Sequence, residues 1–245
     1  MSRLAYFEAL LPILDQAMES QQRVIRDVVR RMADVIAADN LVYVFGAGHA
    51  GIMAEELCYR AGGLVPIVPI FAPGLTTTVR PLTLETKLER MTGYAALLLE
   101  ECGITGDDML IVHSNSGRNT VAIEMAEGAR ERGIIVVALT SVAHSQSVSS
   151  RHPKGYKLMD VADYVIDNCG VPGDAAVEFP GFPQRTGSTS TVVGAALLNA
   201  TVVETVHILL ERGIEPPVFR SANLDNSDEH NQRLMKRYAG RLSYL

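Results

Sequence analysis

Apolar residues recur at steps of three and four along the start of the chain: Leu4, Phe7, Leu11, Leu14 and Met18, then Ile25, Val28, Met32 and Val35. That spacing lines one face of a helix. It predicts two N-terminal helices meeting near Gln21, or one long helix bent there. From Asn40 onward the pattern changes to short Val/Ile/Leu runs separated by helical stretches: "LVYVF" then 50–61, "LVPIVPIF" then about 83–102, "MLIVHS" then 119–132, "IIVVALTS", and "DYVID". Unbroken apolar strands alternating with helices specify a parallel sheet covered on both faces. The simplest arrangement is an open, doubly wound three-layer α/β/α sheet of about five strands, preceded by the N-terminal helices. The N-terminal stripes fall outside this repeat, so they must cover either the flank of their own sheet or a second copy of the chain.

Beyond "DYVID" the segment "NCGVPGDAAVEFPGFPQRTGS" is rich in Gly and Pro and reads as a loop lying over a site or an interface. A long helix from about Ser188 to Glu211 follows, and the tail "EPPVFRSANLDNSDEHNQRLMKRYAGRLSYL" ends in a short basic helix. The expected organisation is an N-terminal helical segment at 1–38, an α/β domain at 39–213 and a tail at 214–245, all in one structural unit.

Composition narrows the function classes. With 47% hydrophobic and 20% charged residues, the 245-residue chain has enough apolar side chains for a large core. Cys58, Cys102 and Cys169 are odd in number and widely spaced, which argues against a disulfide framework or a zinc knuckle and for a reducing compartment. The net charge is −6, and no run of Lys or Arg exceeds two residues, so direct nucleic-acid binding is not expected. Glu8 and Asp15 interrupt the apolar start, unlike a secretory signal. Asn199, Glu204 and His207 lie in the longest apolar tract, Val192 to Leu210, which suits a buried helix better than a membrane span. The expectation is a cytoplasmic protein without a membrane segment.

In a doubly wound sheet, ligands bind beyond the carboxyl ends of the strands, and two such turns stand out. In "FGAGHAG", Gly46, Gly48 and Gly51 spell G-x-G-x-x-G between a strand and a helix. A dinucleotide site would also have an acid about twenty positions on, whereas the next strand ends "PIFAPG". Close helix–strand packing is the other reading of these glycines. In "DMLIVHSNSGRN", Ser114, Asn115, Ser116, Gly117, Arg118 and Asn119 follow a strand and open a helix. Hydroxyls and free N–H groups at a helix N-terminus make an anion cradle suited to one phosphate. Serine-rich capping of the helix is the plainer alternative.

The two motifs together, strand–"GAGHAG"–helix and, some way on, strand–"SNSGRN"–helix, resemble those of the SIS (sugar isomerase) domain family. The likeness spans about residues 35 to 213 and is strongest to the phosphoheptose isomerase-like and UPF0309 branch. It implies a flavodoxin-like fold, assembly as a homodimer or homotetramer, and a phosphorylated monosaccharide bound near the subunit interface. By motif matching, Ser114, Ser116 and Asn119 take the phosphate positions, Asn119 standing where the family usually has Ser or Thr. Aldose–ketose isomerisation moves a proton between two carbons and needs a positioned base. "MAEEL" contains Glu55 and Glu56, and the resemblance assigns the base to Glu56; a solvated helix face is the plainer reading.

Ile52 stands where that branch has an active-site histidine, and His207 reads as a core residue, so neither a metal nor a cofactor is expected. His49, inside the glycine turn with Gly46, Ala47 and Gly48, and His113, at the end of the third strand, face the ligand in this architecture, and His49 is a candidate catalytic residue for the ring oxygen. His230, in the tail, is the candidate ring-opening acid/base if the tail reaches a neighbouring subunit's site; helix capping explains the surrounding acids equally well. The resulting expectation is a phosphosugar-binding isomerase, with a non-catalytic sugar-phosphate sensor or adaptor as the alternative.

Overall fold

The computed structural model describes residues 4–242, so the outermost residues of the expected terminal segments, 1–3 and 243–245, lie outside the described residues. Five parallel strands form the central sheet: β1 (Val42–Gly46), β2 (Ile67–Ile70), β3 (Met109–His113), β4 (Ile135–Thr140) and β5 (Tyr164–Asp167), in the order β2-β1-β3-β4-β5. Every residue of β1, β2 and β3 is buried, which is why their sequences run apolar without alternation. This is the flavodoxin-like strand order, and its reversal point lies between β1 and β3, with Gly46 paired to His113 at their carboxyl ends.

Helices α1 (Ala5–Ser20), α2 (Gln22–Ala37), α3 (Ile52–Leu57), α4 (Leu82–Leu88), α5 (Tyr94–Glu101), α6 (Thr120–Glu131), α7 (Val142–Ser147), α8 (Leu158–Val161), α9 (Ser190–Glu211) and α10 (Ser227–Arg237) surround the sheet. Two hydrophobic clusters fill the layers. One joins α1, α2, α3 and α9 to a sheet face through Met32, Met53 and Leu197. The other joins α5, α6, α8 and the tail to the opposite face through Leu99, Met125 and Leu158. Leu234, Tyr238 and Leu242 bury themselves in this second cluster, the two leucines each contributing about 1.5–3 kcal/mol. The tail is further tied down by the bridge between Leu64 and Val218 and by Arg241, 2.9 Å from the buried Asp108.

Some elements differ from the expected ones. The helix expected at 50–61 begins as a 3₁₀ turn at Gly48–Gly51 and stops at Leu57. The one expected at about 83–102 is broken into α4 and α5, because Gly93 takes a left-handed conformation at φ 84°. The Gly/Pro-rich segment read as a loop contains an antiparallel hairpin, β6 (Ala175–Phe179) and β7 (Phe182–Ser188). All of β7 except Gly187 is exposed, so no inside–outside alternation marks it as a strand. The hairpin leans on α1, where the Tyr6 hydroxyl donates to the Ser188 carbonyl at 2.8 Å.

By length and composition α9 would suffice to cross a bilayer. Here it packs one face against α2 and α3 and buries Val193, Leu197, Leu198 and Val202, while Val203 and Leu210 remain exposed.

Candidate functional site

The turns after β1 and β3 lie side by side at the reversal point and border an open cleft of about 330 Å³. Ala47, Gly48 and His49 line it from the first turn and Ser114, Asn115 and Ser116 from the second. Gly46 is required because a methyl group there would run into the Ala50 carbonyl of the turn that follows. Gly117 sits at φ 58°, and an added Cβ would lie 3.3 Å from both Thr140 Oγ1 and Ser145 Oγ. It thereby lets the chain double back at the start of α6.

The second turn is braced from beneath. The Asn115 carbonyl accepts from the Ser141 N–H at 3.0 Å and from Thr140 Oγ1 at 3.1 Å, and its side-chain oxygen accepts from Asn168 at 2.8 Å. With these bonds made, the backbone N–H groups of Ser116, Arg118, Asn119 and Thr120 donate to no acceptor among the described residues. Four free donors at the start of a 12-residue helix form a site for an anion. The Arg118 side chain points away to Ser149 Oγ, 3.2 Å off. The side-chain oxygen of Asn119 is occupied by Arg151, at 2.7 Å.

Sequence reasoning missed the far wall of the cleft. Glu85 and Glu89, from α4 and the turn just after it, lie one helical turn apart and both line it. Burial raises the Glu89 carboxyl above the ordinary glutamate range, and a contact from the Asn119 side chain partly offsets this. The spacing of the two acids in "LTLETKLER" was the available signal, but helical glutamates at that spacing are common on solvated faces. Asp174, from the segment before β6, reaches the cleft too. It accepts from the Thr189 and Ser190 N–H groups at 3.1 and 2.9 Å and from Ser190 Oγ at 2.7 Å, capping α9.

His113 is buried at the cleft floor. Its Nδ1 is 3.0 Å from the Ala50 carbonyl; a carbonyl only accepts, so Nδ1 carries the proton and Nε2 is left as an acceptor without a partner. Burial pushes its pKa down to about 4. His144, at the end of the cleft near α7, is also shifted down by burial.

The remaining residues expected at the site lie elsewhere. The Glu56 carboxylate turns toward α9, where Asn199 donates to it at 3.0 Å and Arg60 pairs with it, and it does not border the cleft. Glu55 is exposed on α3. His230 bonds the Val218 carbonyl at 3.0 Å and borders a separate surface groove with Arg220 and Arg233. Within one chain it does not meet the cleft. Among the described residues, no group of three His, Cys, Asp or Glu side chains is placed to hold a metal.

A family model for the SIS domain matches residues 5–141, more than half of the chain. The chain belongs to the SIS domain family. Among the relatives of this SIS protein, the UPF0309 protein of Shouchella clausii is 44% identical and that of Oceanobacillus iheyensis 41%, each over 98% of both chains. Among solved structures, a phosphoheptose isomerase from Francisella tularensis superposes with a TM-score of 0.55 at 14% identity, covering 82% of this chain and 94% of that one. An E. coli CFT073 protein in complex with A5P gives 0.54 at 16%, covering 83% and 87%. The Vibrio vulnificus NanR protein complexed with ManNAc-6P gives 0.52 at 16%, covering 95% and 67%. At these identities the structural likeness establishes the shared fold.

Proposed function

We propose that this SIS protein binds a phosphorylated monosaccharide in the cleft between the β1 and β3 turns and interconverts its aldose and ketose forms. The observation that carries the reading is the juxtaposition of an anion cradle with a half-buried carboxyl. The N–H groups at the start of α6, with Ser114 and Ser116, would hold the phosphate. Glu89, on the same cleft, would take the proton from the carbon next to the carbonyl and return it to the neighbouring carbon through an enediol. Its raised pKa suits it to both halves of that transfer. Exposed His49 at the rim is placed to handle the ring oxygen, and His113, held neutral, to accept from a sugar hydroxyl. Support comes also from the structural relatives solved with A5P and ManNAc-6P. The same reading makes the protein a cytoplasmic homo-oligomer.

The geometry favours Glu89 over Glu56 as the base, because the Glu56 carboxylate is held by Arg60 and Asn199 outside the cleft. The test is exchange of carbon-bound protons in deuterated water across phosphorylated pentoses, hexoses, heptoses and amino sugars. Glu89→Gln should lower exchange about 10²–10⁴-fold with binding retained, and Glu56→Gln should leave it near the parent rate. Full exchange by Glu89→Gln overturns the assignment. Binding by the parent protein without any exchange makes it a sensor or adaptor instead.

A further inference from the structure

The residue at the end of the serine loop is an asparagine, and its surroundings give that choice a purpose. Asn119 is buried at the start of α6, and its amide is oriented by Arg151: a guanidinium can only donate, so the oxygen 2.7 Å from it must be Oδ1. The NH₂ end is thereby left to face the other way. The Asn119 side chain also interacts with that of Glu89, and the Glu89 carbonyl accepts from the Val121 N–H at 3.2 Å, which pins the end of α4 against the first turn of α6. Arg151 is fixed in turn, because its N–H donates to the Arg118 carbonyl at 2.9 Å and its carbonyl accepts from Thr120 Oγ1 at 3.2 Å.

We infer that Arg151 and Asn119 are positioning residues that hold the Glu89 carboxylate in place through one oriented amide. A serine or threonine at 119 offers a single hydroxyl and would not span from Arg151 to Glu89. The amide has an acceptor at one end and donors at the other, so the direction of the chain is set: Arg151 donates to Asn119, and Asn119 donates to Glu89. The donation favours the ionised carboxylate, in line with the effect of Asn119 on Glu89. Its functional meaning rests on the reading of Glu89 as the base, whereas the arrangement itself can be tested without substrate.

The experiment is a carbon-13 NMR titration of the Glu89 carboxyl in the full-length protein and in Asn119→Ala, Arg151→Met, the double variant and Arg151→Lys. Losing either member should raise the Glu89 midpoint. Direct attraction between the Arg151 charge and Glu89 would survive in the Asn119→Ala background, but orientation through the amide would not. The effect of Arg151→Met should therefore shrink to a small residue once Asn119 is gone, and Arg151→Lys, which keeps a donor and the charge, should restore most of the parent midpoint. Equal effects of Arg151→Met in both backgrounds, or an unmoved midpoint in Asn119→Ala, overturn the inference. A variant that loses its fold is replaced by Asn119→Asp, which puts an acceptor toward Glu89 and should raise the midpoint further than Asn119→Ala; a smaller rise also overturns it. If the parent exchanges no carbon-bound proton on any sugar phosphate, the isomerase reading fails while the titration still decides the relay.

Discussion

His113 shows how one buried side chain couples the site to stability. In the unfolded chain its imidazole takes a proton near the ordinary 6.5; in the folded chain it does so only near 4. Between those values the unfolded state binds more protons, so stability rises with pH through the window and is lost as the pH falls through it. At about 1.4 kcal/mol per pH unit, the shift from 6.5 to about 4 corresponds to a loss on the order of 3 kcal/mol. Urea unfolding of the parent at pH 7 and pH 4.5, compared with His113→Gln, should show a visibly flatter pH dependence in the variant. Parallel profiles would refute the assignment. Glu89 behaves oppositely. Its raised pKa means that ionising it costs stability as pH rises, so Glu89→Gln should melt higher than the parent at neutral pH while losing exchange.

Elements explain what the sequence made legible. The five sheet strands were readable because burial on both faces makes each an unbroken apolar run, and the two candidate turns were readable because their glycines and serines come directly after such a strand. The hairpin was not, since "FPQRTGS" faces solvent and carries no pattern to detect. Glu89 was hidden for another reason: only its tertiary contact with the start of α6 separates it from any other helical glutamate. Asp174 was covered only by the expectation that its segment lies over a site. At this scale Gly117 carries the sharpest test. An alanine at φ 58° costs about 1–2 kcal/mol, and its Cβ would press on Thr140 and Ser145. Gly117→Ala should lower the unfolding free energy by about that much and weaken inorganic phosphate binding about tenfold, read by calorimetry, where a 1.4 kcal/mol loss is tenfold in affinity. Unchanged phosphate affinity would mean that the turn is not the cradle.

At the scale of the molecule, one flank is unfinished. Phe7 and Met18 of α1 and Val203 and Leu210 of α9 are all exposed, and Val203 is 62% exposed. The second N-terminal stripe, Ile25, Val28, Met32 and Val35, is buried on its own sheet, whereas we propose that the exposed apolar groups on α1 and α9 form a surface for a second copy. Sedimentation should find the parent as a dimer or tetramer and Val203→Glu as a smaller species; a monomeric parent would rule this surface out. One side chain ties that flank to the cleft. The carboxylate of Asp174 seats the first amides of α9 and also borders the space where a sugar would lie. A guest that claimed one of its lone pairs would compete with the helix for it, so tenancy of the cleft should loosen the first turn of this 22-residue rod.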